Sequence, residues 1–262
     1  MYHNIYKKYN QIICNEKTDY AYYNENQEII YLKNNSSPEA LKIDNLYARC
    51  KNYYSSNEES LFYNFVFENE QRIKTDYRFF VVCCKQNIGE VKSIISDLME
   101  ESMIFIYKDM IIVLYHQELE FDLVDVINSI KEDLYINLRL FIGCKISNGK
   151  DLYYLLCLYR YCLNSKDYST IKDLITRTFE KDNRSIPVLK QIILGKLAMD
   201  SQLEKLIIGL FDNNLNVSKT SNCVFMHRNT INNKLSLIKD QTGLDIQNFY
   251  DALAMFILIS KK

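Results

Sequence analysis

The stretch from Tyr77 to Ile146 constrains the fold most, because strand-like and helix-like apolar patterns alternate along it. The runs "YRFFVVCCK", "SMIFIYKDMIIVLYH" and "INLRLFIGCKI" are rich in β-branched and aromatic residues, and the second run divides into two strands at Lys108 and Asp109. Between these runs, "NIGEVKSIISDLMEE" and "FDLVDVINSIKEDL" carry apolar residues at helical spacing. The resulting order, β-α-β-β-α-β, is typical of the split βαβ or ferredoxin-like domain.

The regions on either side of this stretch predict a chain of class α+β. Residues 1–75 are expected to form an N-terminal α/β segment of unknown role, either a sensor or a dimerisation element. They contain a candidate hairpin in "DYAYYNENQEIIYLK" and a candidate helix that opens at Ser37 and Pro38. Residues 76–168 would be the ferredoxin-like middle domain. Residues 169–262 carry helical patterns alone and are expected to form an all-α C-terminal domain.

Composition excludes several classes of protein. The chain has 262 residues, a net charge of -1 and 48% hydrophobic residues, so it can form a core and is not a generally basic nucleic-acid binder. Its eight cysteines form no C-x-x-C pair, and with only three histidines they predict no zinc or other metal site; no cofactor is expected. The sequence shows neither a charged-then-apolar leader nor a long apolar span. We therefore expect a cytoplasmic protein with reduced cysteines and no membrane segment.

The C-terminal quarter of the chain predicts a helix, a tight turn and a second helix between two supporting helices. The first support, "SQLEKLIIGLFDNN", has one apolar stripe and a capping box of Ser201 and Glu204. Asn216 is expected to cap a short helix that ends near Val224. The last support is "DIQNFYDALAMFILIS", an apolar run expected to be helical from Asp245.

The second helix of the pair should begin near Arg228 and end at Gly243, since glycine favours the left-handed backbone that closes many helices. Its apolar residues fall within about 60° of one another on the helical wheel. They are Ile231, Leu235 and Ile238. The side chains that point away from them are Asn229, Asn233 and Ser236. A helix presented in this way after a tight turn is the arrangement that enters the major groove of DNA.

The polar face of this helix has the chemistry needed to read DNA. Asparagine can form paired hydrogen bonds with adenine, and Lys219, Arg228 and Lys234 flank the face as candidate phosphate or guanine ligands. Residues 213–262 hold six Lys or Arg and three acids, so basic charge is concentrated here. The candidate DNA-binding residues are Ser218, Lys219, Thr220, His227, Arg228, Asn229, Thr230, Asn232, Asn233, Lys234 and Ser236. On spacing alone, the pattern fits a plain α-hairpin with a solvated polar face equally well.

The run "VFMHRNTINNKLSLIKDQTGLDI" resembles the C-terminal helix-turn-helix of PucR-type, or CdaR-type, bacterial transcriptional regulators. In that family a hydrophobic-His-Arg-Asn-Thr core opens the recognition helix, and a Thr-Gly-Leu/Ile-Asp closure follows. The matching residues are His227, Arg228, Asn229, Thr230, Leu235, Thr242, Gly243, Leu244 and Asp245. Thr220 and Ser221 stand where the family prefers alanine, and Asn232 and Asn233 stand where Tyr or Arg is more usual. The resemblance implies a sequence-specific, DNA-binding regulator with its helix-turn-helix at about residues 201–262.

The β-α-β-β-α-β block is similar to the GGDEF-like domain that precedes the helix-turn-helix in this family. Active diguanylate cyclases carry Gly-Gly-Asp/Glu-Glu-Phe at the β-hairpin, whereas the matching turn, "FIYKDMII", has no glycine pair and only Asp109 as an acid. Two metal ions on a triphosphate need more carboxylates than one. We therefore expect no catalytic residues and no enzyme activity, and a middle domain used for dimerisation or ligand sensing.

The expected partners follow from the size of one helix-turn-helix, which reads only a few base pairs. A homodimer on an inverted-repeat, double-stranded operator is expected, joined through the last helix around Phe249, Leu253 and Phe256 or through an edge of the middle sheet. A small-molecule effector of unidentified chemistry is a further expected partner. Two alternatives stay open: a non-enzymatic sensor or interaction protein whose helix-turn-helix is only a packing unit, and a nucleotide-processing enzyme.

Overall fold

The structure is a computed structural model that describes residues 76–99, 101–163 and 166–260, together with shorter pieces upstream. Those pieces are residues 61–62 and 65–66 and the strands β1 (Ile13–Cys14), β2 (Ala21–Tyr23) and β3 (Ile29–Leu32). β3 pairs antiparallel with both β1 and β2, so the hairpin predicted in "DYAYYNENQEIIYLK" is confirmed. The helix predicted to open at Ser37 and Pro38 lies outside the described residues.

Residues 78–142 follow the order β-α-β-β-α-β. The elements are β4 (Arg78–Cys84), α1 (Ile88–Leu98), β5 (Met103–Tyr107), β6 (Met110–Tyr115), α2 (Leu123–Asp133) and β7 (Leu138–Ile142). The strands lie in the order β5-β6-β4-β7, and each neighbouring pair is antiparallel. Lys108 has a left-handed backbone, φ 57°, in the turn between β5 and β6. Asp122 begins α2 because its side chain accepts the backbone N–H of Val124.

A further strand extends this sheet after helix α3 (Gly149–Leu163). β8 (Tyr168–Thr170) pairs in parallel with β7 and makes the sheet five-stranded. The expectation of helix alone from residue 169 onward is wrong at its start, because a strand of three residues is too short to show an alternating pattern. The expected boundary between residues 168 and 169 therefore falls inside β8.

The sheet is covered on both faces. Alternate residues of β4 belong to two separate apolar clusters, and Cys84 lies in the cluster that includes α1 and α2. Cys83 lies in the other cluster, which includes α3. Both cysteines are buried, at 4% and 2% exposed. Alternation places neighbouring residues on opposite faces, and both faces are buried here.

Helices dominate the described chain from residue 171 to 260. They are α4 (Ile171–Lys181), α5 (Ile186–Leu194), α6 (Ser201–Asp212), α7 (Val217–Cys223), α8 (Arg228–Thr242) and α9 (Phe249–Ser260). The cap of α6 is Asp200, not Ser201, since the Asp200 side chain accepts the N–H of Gln202 at 2.9 Å. α9 begins later than Asp245, because the Asp245 and Asn248 side chains accept backbone N–H groups two residues onward and form turns.

One apolar cluster runs from the sheet into the helices. It contains Phe79 and Val81 of β4 together with Ile231 of α8 and Leu258 of α9. The sheet and the C-terminal helices are therefore packed against each other through buried side chains. None of the helices in the described part of the chain has the length and apolar character needed to cross a bilayer.

Candidate nucleic-acid interface

Polar groups fix the starts of both α7 and α8. The Asn216 side chain accepts the backbone N–H of Lys219 at 3.0 Å, so Asn216 caps α7 as predicted. His227 plays the same part for α8, because its Nδ1 accepts the N–H of Asn229 at 3.3 Å. Between the two helices Phe225 has a left-handed backbone, φ 54°, which lets the chain turn within a few residues. The helix-turn-helix geometry thus rests on these two caps and one turn residue.

The far end and the inner side of α8 also follow the sequence pattern. Gly243 closes the helix at φ 75°, and its N–H donates to the Lys239 carbonyl at 2.8 Å. Leu244 is buried directly after this turn. Ile231 and Ile238 are both 0% exposed and hold the inner side of α8 against the other helices. The predicted apolar stripe is therefore the side of α8 that faces the core.

The close approach of α6 to α7 depends on Gly209. A Cβ at this position would lie 2.7 Å from Val224 Cγ1 and 3.5 Å from Thr220 Cγ2. Thr220 is 0% exposed, and its hydroxyl donates to the carbonyls of Gly209 and Asn216. Thr220 was a candidate DNA ligand, and the structure corrects this by placing it in the packing between two helices.

Replacing Gly209 by alanine is expected to lower the free energy of unfolding by about 1–3 kcal/mol, because the added methyl overpacks the contact with Val224. Urea denaturation followed by circular dichroism measures this loss. Gly89→Ala is the matched control, since a Cβ at Gly89 in α1 would have nothing within 4 Å. The control should leave stability unchanged or raise it by about 0.4–1 kcal/mol. Equal losses in the two variants would contradict the packing role of Gly209.

The N-terminal half of α8 presents its polar side chains to solvent. The prediction that Asn229 and Asn233 are exposed is confirmed. The exposed candidate residues of α8 and its cap are His227, Arg228, Asn229, Thr230, Asn232, Asn233 and Ser236. On α7, Lys219 is exposed and Ser218 is half-buried. The face of α8 that would have to contact DNA is therefore exposed to solvent.

Leu237 is an exposed apolar residue on α8 that the sequence analysis did not single out. Its side chain is 55% exposed, beside Ser236. The sequence itself indicates this exposure, because Leu237 lies about 120° from Ile231 on the helical wheel and so outside the apolar stripe. An apolar side chain at this place can contact the methyl group of thymine. Leu237 therefore joins the candidate interface.

Lys234 has a partner within the protein. Its ammonium bonds the Asp200 carboxylate at 2.6 Å, and its side chain is only 20% exposed. This hydrogen bond from Lys234 holds the pKa of Asp200 below its ordinary value. We expected Lys234 to flank the polar face as a phosphate or guanine ligand; the structure instead places it against the cap of α6, where it ties α8 to that helix.

The last turn of α8 is bound to the sheet region through Asp240. Asp240 accepts from Arg78 Nη2 at 2.6 Å and from Lys145 Nζ at 2.5 Å. The pKa of Asp240 is lowered, first by the bond from Lys145. Arg78 is 162 residues away in the chain, and no local pattern can reveal a pair at that separation.

The turn between β5 and β6, where a cyclase would carry its acids, is engaged in ion pairs. Asp109 lies 3.2 Å from Arg160 Nη1 and 3.9 Å from Arg139 Nη2. Within the described ranges, no cluster of three or more His, Cys, Asp or Glu side chains is placed to hold a metal ion. His116 is exposed, and its ring lies against Tyr77.

Comparison with known proteins agrees with this geometry. Residues 205–259 match the family model described as the PucR C-terminal helix-turn-helix domain. This range begins within α6 and includes α7, α8 and nearly all of α9. The matched segment therefore contains the helix pair and most of both supporting helices.

Two relatives can be named. The carbohydrate diacid regulator of Escherichia coli (strain K12) is 35% identical over 57 residues, which are 22% of this chain and 15% of that protein. A solved structure, a regulator of polyketide synthase expression from Bifidobacterium adolescentis, aligns over 71% of this chain and 80% of its own, with 13% identity and a TM-score of 0.35. That score is too low to support a shared overall fold. Residues 205–259 are thus similar to the C-terminal helix-turn-helix domain of PucR-type regulators, and a 57-residue segment is similar to the carbohydrate diacid regulator.

Proposed function

We propose that this protein is a transcriptional regulator that binds specific DNA sequences with α8. The observation that carries the proposal is the exposed polar half of α8, which follows a capped turn inside a PucR-type helix-turn-helix domain. Amide side chains on a helix of this kind can reach base edges in the major groove.

The proposed roles of the side chains differ along the helix pair. Asn229 and Asn233 are proposed to contact bases, because both are exposed on the side opposite Ile231. Arg228 is exposed in the first turn and is proposed to bind phosphate, where the positive end of the helix also attracts an anion. Lys219 on α7 is proposed as a second phosphate ligand.

We propose that the regulator acts in the cytoplasm as a homodimer on an inverted repeat. One module contacts few base pairs, and a two-fold dimer doubles these contacts with half-sites about 34–36 Å apart, or a multiple of that distance. An apolar strip on α9 supports the proposal. The exposed apolar residues of this strip are Phe249, Leu253 and Phe256.

The middle region is proposed to be a ferredoxin-like, GGDEF-like domain without catalytic activity. The order β5-β6-β4-β7 with antiparallel neighbours supports the fold. The absence of catalysis is supported by Asp109, which is paired with Arg160 rather than standing among other acids. GTP turnover that disappears in Asp109→Ala would contradict this part of the proposal. The domain, or residues 1–75, would receive a small-molecule effector.

The alternative is a sensor or interaction protein in which the helix-turn-helix serves only as a packing unit. In that case another part of the protein should cover Asn229 and Asn233, yet both are exposed among the described residues. This exposure favours the regulator.

Selection from a random library of double-stranded DNA tests the proposal. The purified full chain should enrich one inverted repeat, and a footprint should cover two half-sites. Selection should be repeated at two salt concentrations, because non-specific binding falls steeply with salt whereas the base contacts persist. Retained fragments with no shared sequence at either salt concentration would support the alternative.

A further inference from the structure

The C-terminal end of α8 is fastened to two separate segments of the sheet region. Asp240 binds Arg78, the first residue of β4, at 2.6 Å, and Lys145, in the loop after β7, at 2.5 Å. We call these three residues the clasp. Each cation contacts a different carboxylate oxygen, so the carboxylate is held from two directions.

Backbone and amide hydrogen bonds reinforce the clasp at the next residue. The N–H of Lys145 donates to the Gln241 carbonyl at 2.9 Å. The Gln241 side-chain amide donates in turn to the carbonyls of Lys145 at 3.3 Å and Ile193 at 3.4 Å. The last turn of α8 is thereby tied both to the loop after β7 and to α5.

The clasp lies on the same side of α8 as the proposed base contacts. Asp240 follows Asn233 by seven residues, which is about two turns, so the two side chains project within about 20° of each other. The helix rises about 10 Å over that distance. The ion pairs of Asp240 with Arg78 and Lys145 therefore fix the direction in which Asn233 points relative to the sheet.

We propose that Asp240 is a positioning residue for DNA recognition, which sets the angle at which the sheet region presents α8 to the major groove. The inference rests on the proposed DNA-binding function. Ile231 and Ile238 already bury the inner side of α8, so its place in the core does not depend on the clasp. The carboxylate side chain of Asp240 is 45% exposed, and an ion pair this open to water adds little to stability. The clasp sets the orientation of α8 relative to the sheet region. A structural change in the sheet would therefore alter the orientation of α8.

The test compares Asp240→Asn with Asp245→Asn in the full chain. Asp245 also pairs with a lysine, Lys239 at 2.9 Å, but this pair lies wholly within the C-terminal helical region and does not touch the sheet. Both variants remove one negative charge near the same helix end, so the comparison cancels the general electrostatic effect on DNA. Asp240→Glu keeps the charge and should recover part of the function.

Hydrogen exchange measured by mass spectrometry gives a readout that needs no DNA. Asp240→Asn should speed exchange in peptides covering residues 143–146 and 239–243, while Asp245→Asn leaves residues 143–146 as in the wild type. Unchanged exchange in Asp240→Asn would overturn the clasp. This readout stands even when the wild-type protein fails to bind any DNA, so failure of the clasp and failure of the regulator proposal are distinguishable.

The second readout is the ratio of affinities for the selected operator and for random DNA. Asp240→Asn should lower this ratio about tenfold, the loss expected when one paired base contact is misaligned. The melting temperature should stay close to that of the wild type. A ratio equal to that of Asp245→Asn would overturn the proposal. Tighter binding of both DNAs would also overturn it, because it would show that Arg78 and Lys145 are phosphate ligands restrained by Asp240.

Discussion

Arg228→Ala is expected to weaken binding to operator and random DNA alike, whereas Asn233→Ala is expected to reduce the preference for the operator. Arg228 is exposed in the first turn of α8, where its guanidinium is proposed to contact the phosphate backbone. Losing one phosphate contact should lower the slope of log affinity against log salt by about 1. Losing a base contact should remove roughly 1–3 kcal/mol of discrimination, and the salt slope should stay unchanged.

Fluorescence anisotropy titrations at several salt concentrations separate these two effects. Lys150→Ala and Asn128→Ala are matched controls, because both side chains are exposed on helices of the middle region, far along the chain from α8. Neither control should change affinity or the salt slope. Equal losses of selectivity in Arg228→Ala and Asn233→Ala would show that the two roles are wrongly assigned.

Leu253→Glu is expected to convert the proposed dimer into monomers, with a loss of about 2 kcal/mol or more in dimerisation free energy. Phe249, Leu253 and Phe256 follow one another at spacings of four and three residues on α9, and their side chains are 64%, 38% and 38% exposed. The rings of Phe256 and of Phe211 in α6 are in contact, with their centroids 4.7 Å apart, which extends the apolar strip onto a second helix. A carboxylate in such a strip would have to be buried without a partner.

Sedimentation equilibrium at micromolar concentration measures this change. Met199→Glu is the control, because Met199 is 91% exposed and lies outside α9. The control should remain dimeric and bind the operator normally, while Leu253→Glu should occupy single half-sites weakly. A Leu253→Glu variant that stays dimeric would show that the interface lies elsewhere, for instance at the outer edge of β5. A wild-type chain that is monomeric, with a footprint over one half-site, would exclude the dimer altogether.

Local periodicity predicted most of the elements that build the site. The helical spacing of Ile231 and Ile238 identified the buried side of α8, and Asn216 and Gly243 identified two helix ends. These features depend on residues a few positions apart, so they are visible in the sequence.

Contacts between distant segments could not be predicted in the same way. The pairing of Asp240 with Arg78 and the parallel pairing of β8 with β7 depend on the tertiary arrangement. The contact of Lys234 with Asp200, 34 residues apart in the chain, could not be predicted for the same reason. On the helical wheel Lys234 lies beside the apolar stripe, a position that is compatible with exposure. Its ammonium binds within the protein because the fold places Asp200 next to it.

The apolar cluster that joins β4 to α8 and α9 restricts how such a protein can be recombined. A chimaera that transfers only the C-terminal helices to another protein would expose the buried inner sides of these helices to water, and a large apolar surface of that kind promotes aggregation. The sheet left behind would lose part of the cover on one face, where α3 would remain. The proposed operator preference is therefore more readily changed by substitutions on the outer side of α8 than by exchange of the whole helix-turn-helix. The smallest transferable unit extends from at least Phe62, which is buried in the same cluster, to the end of α9.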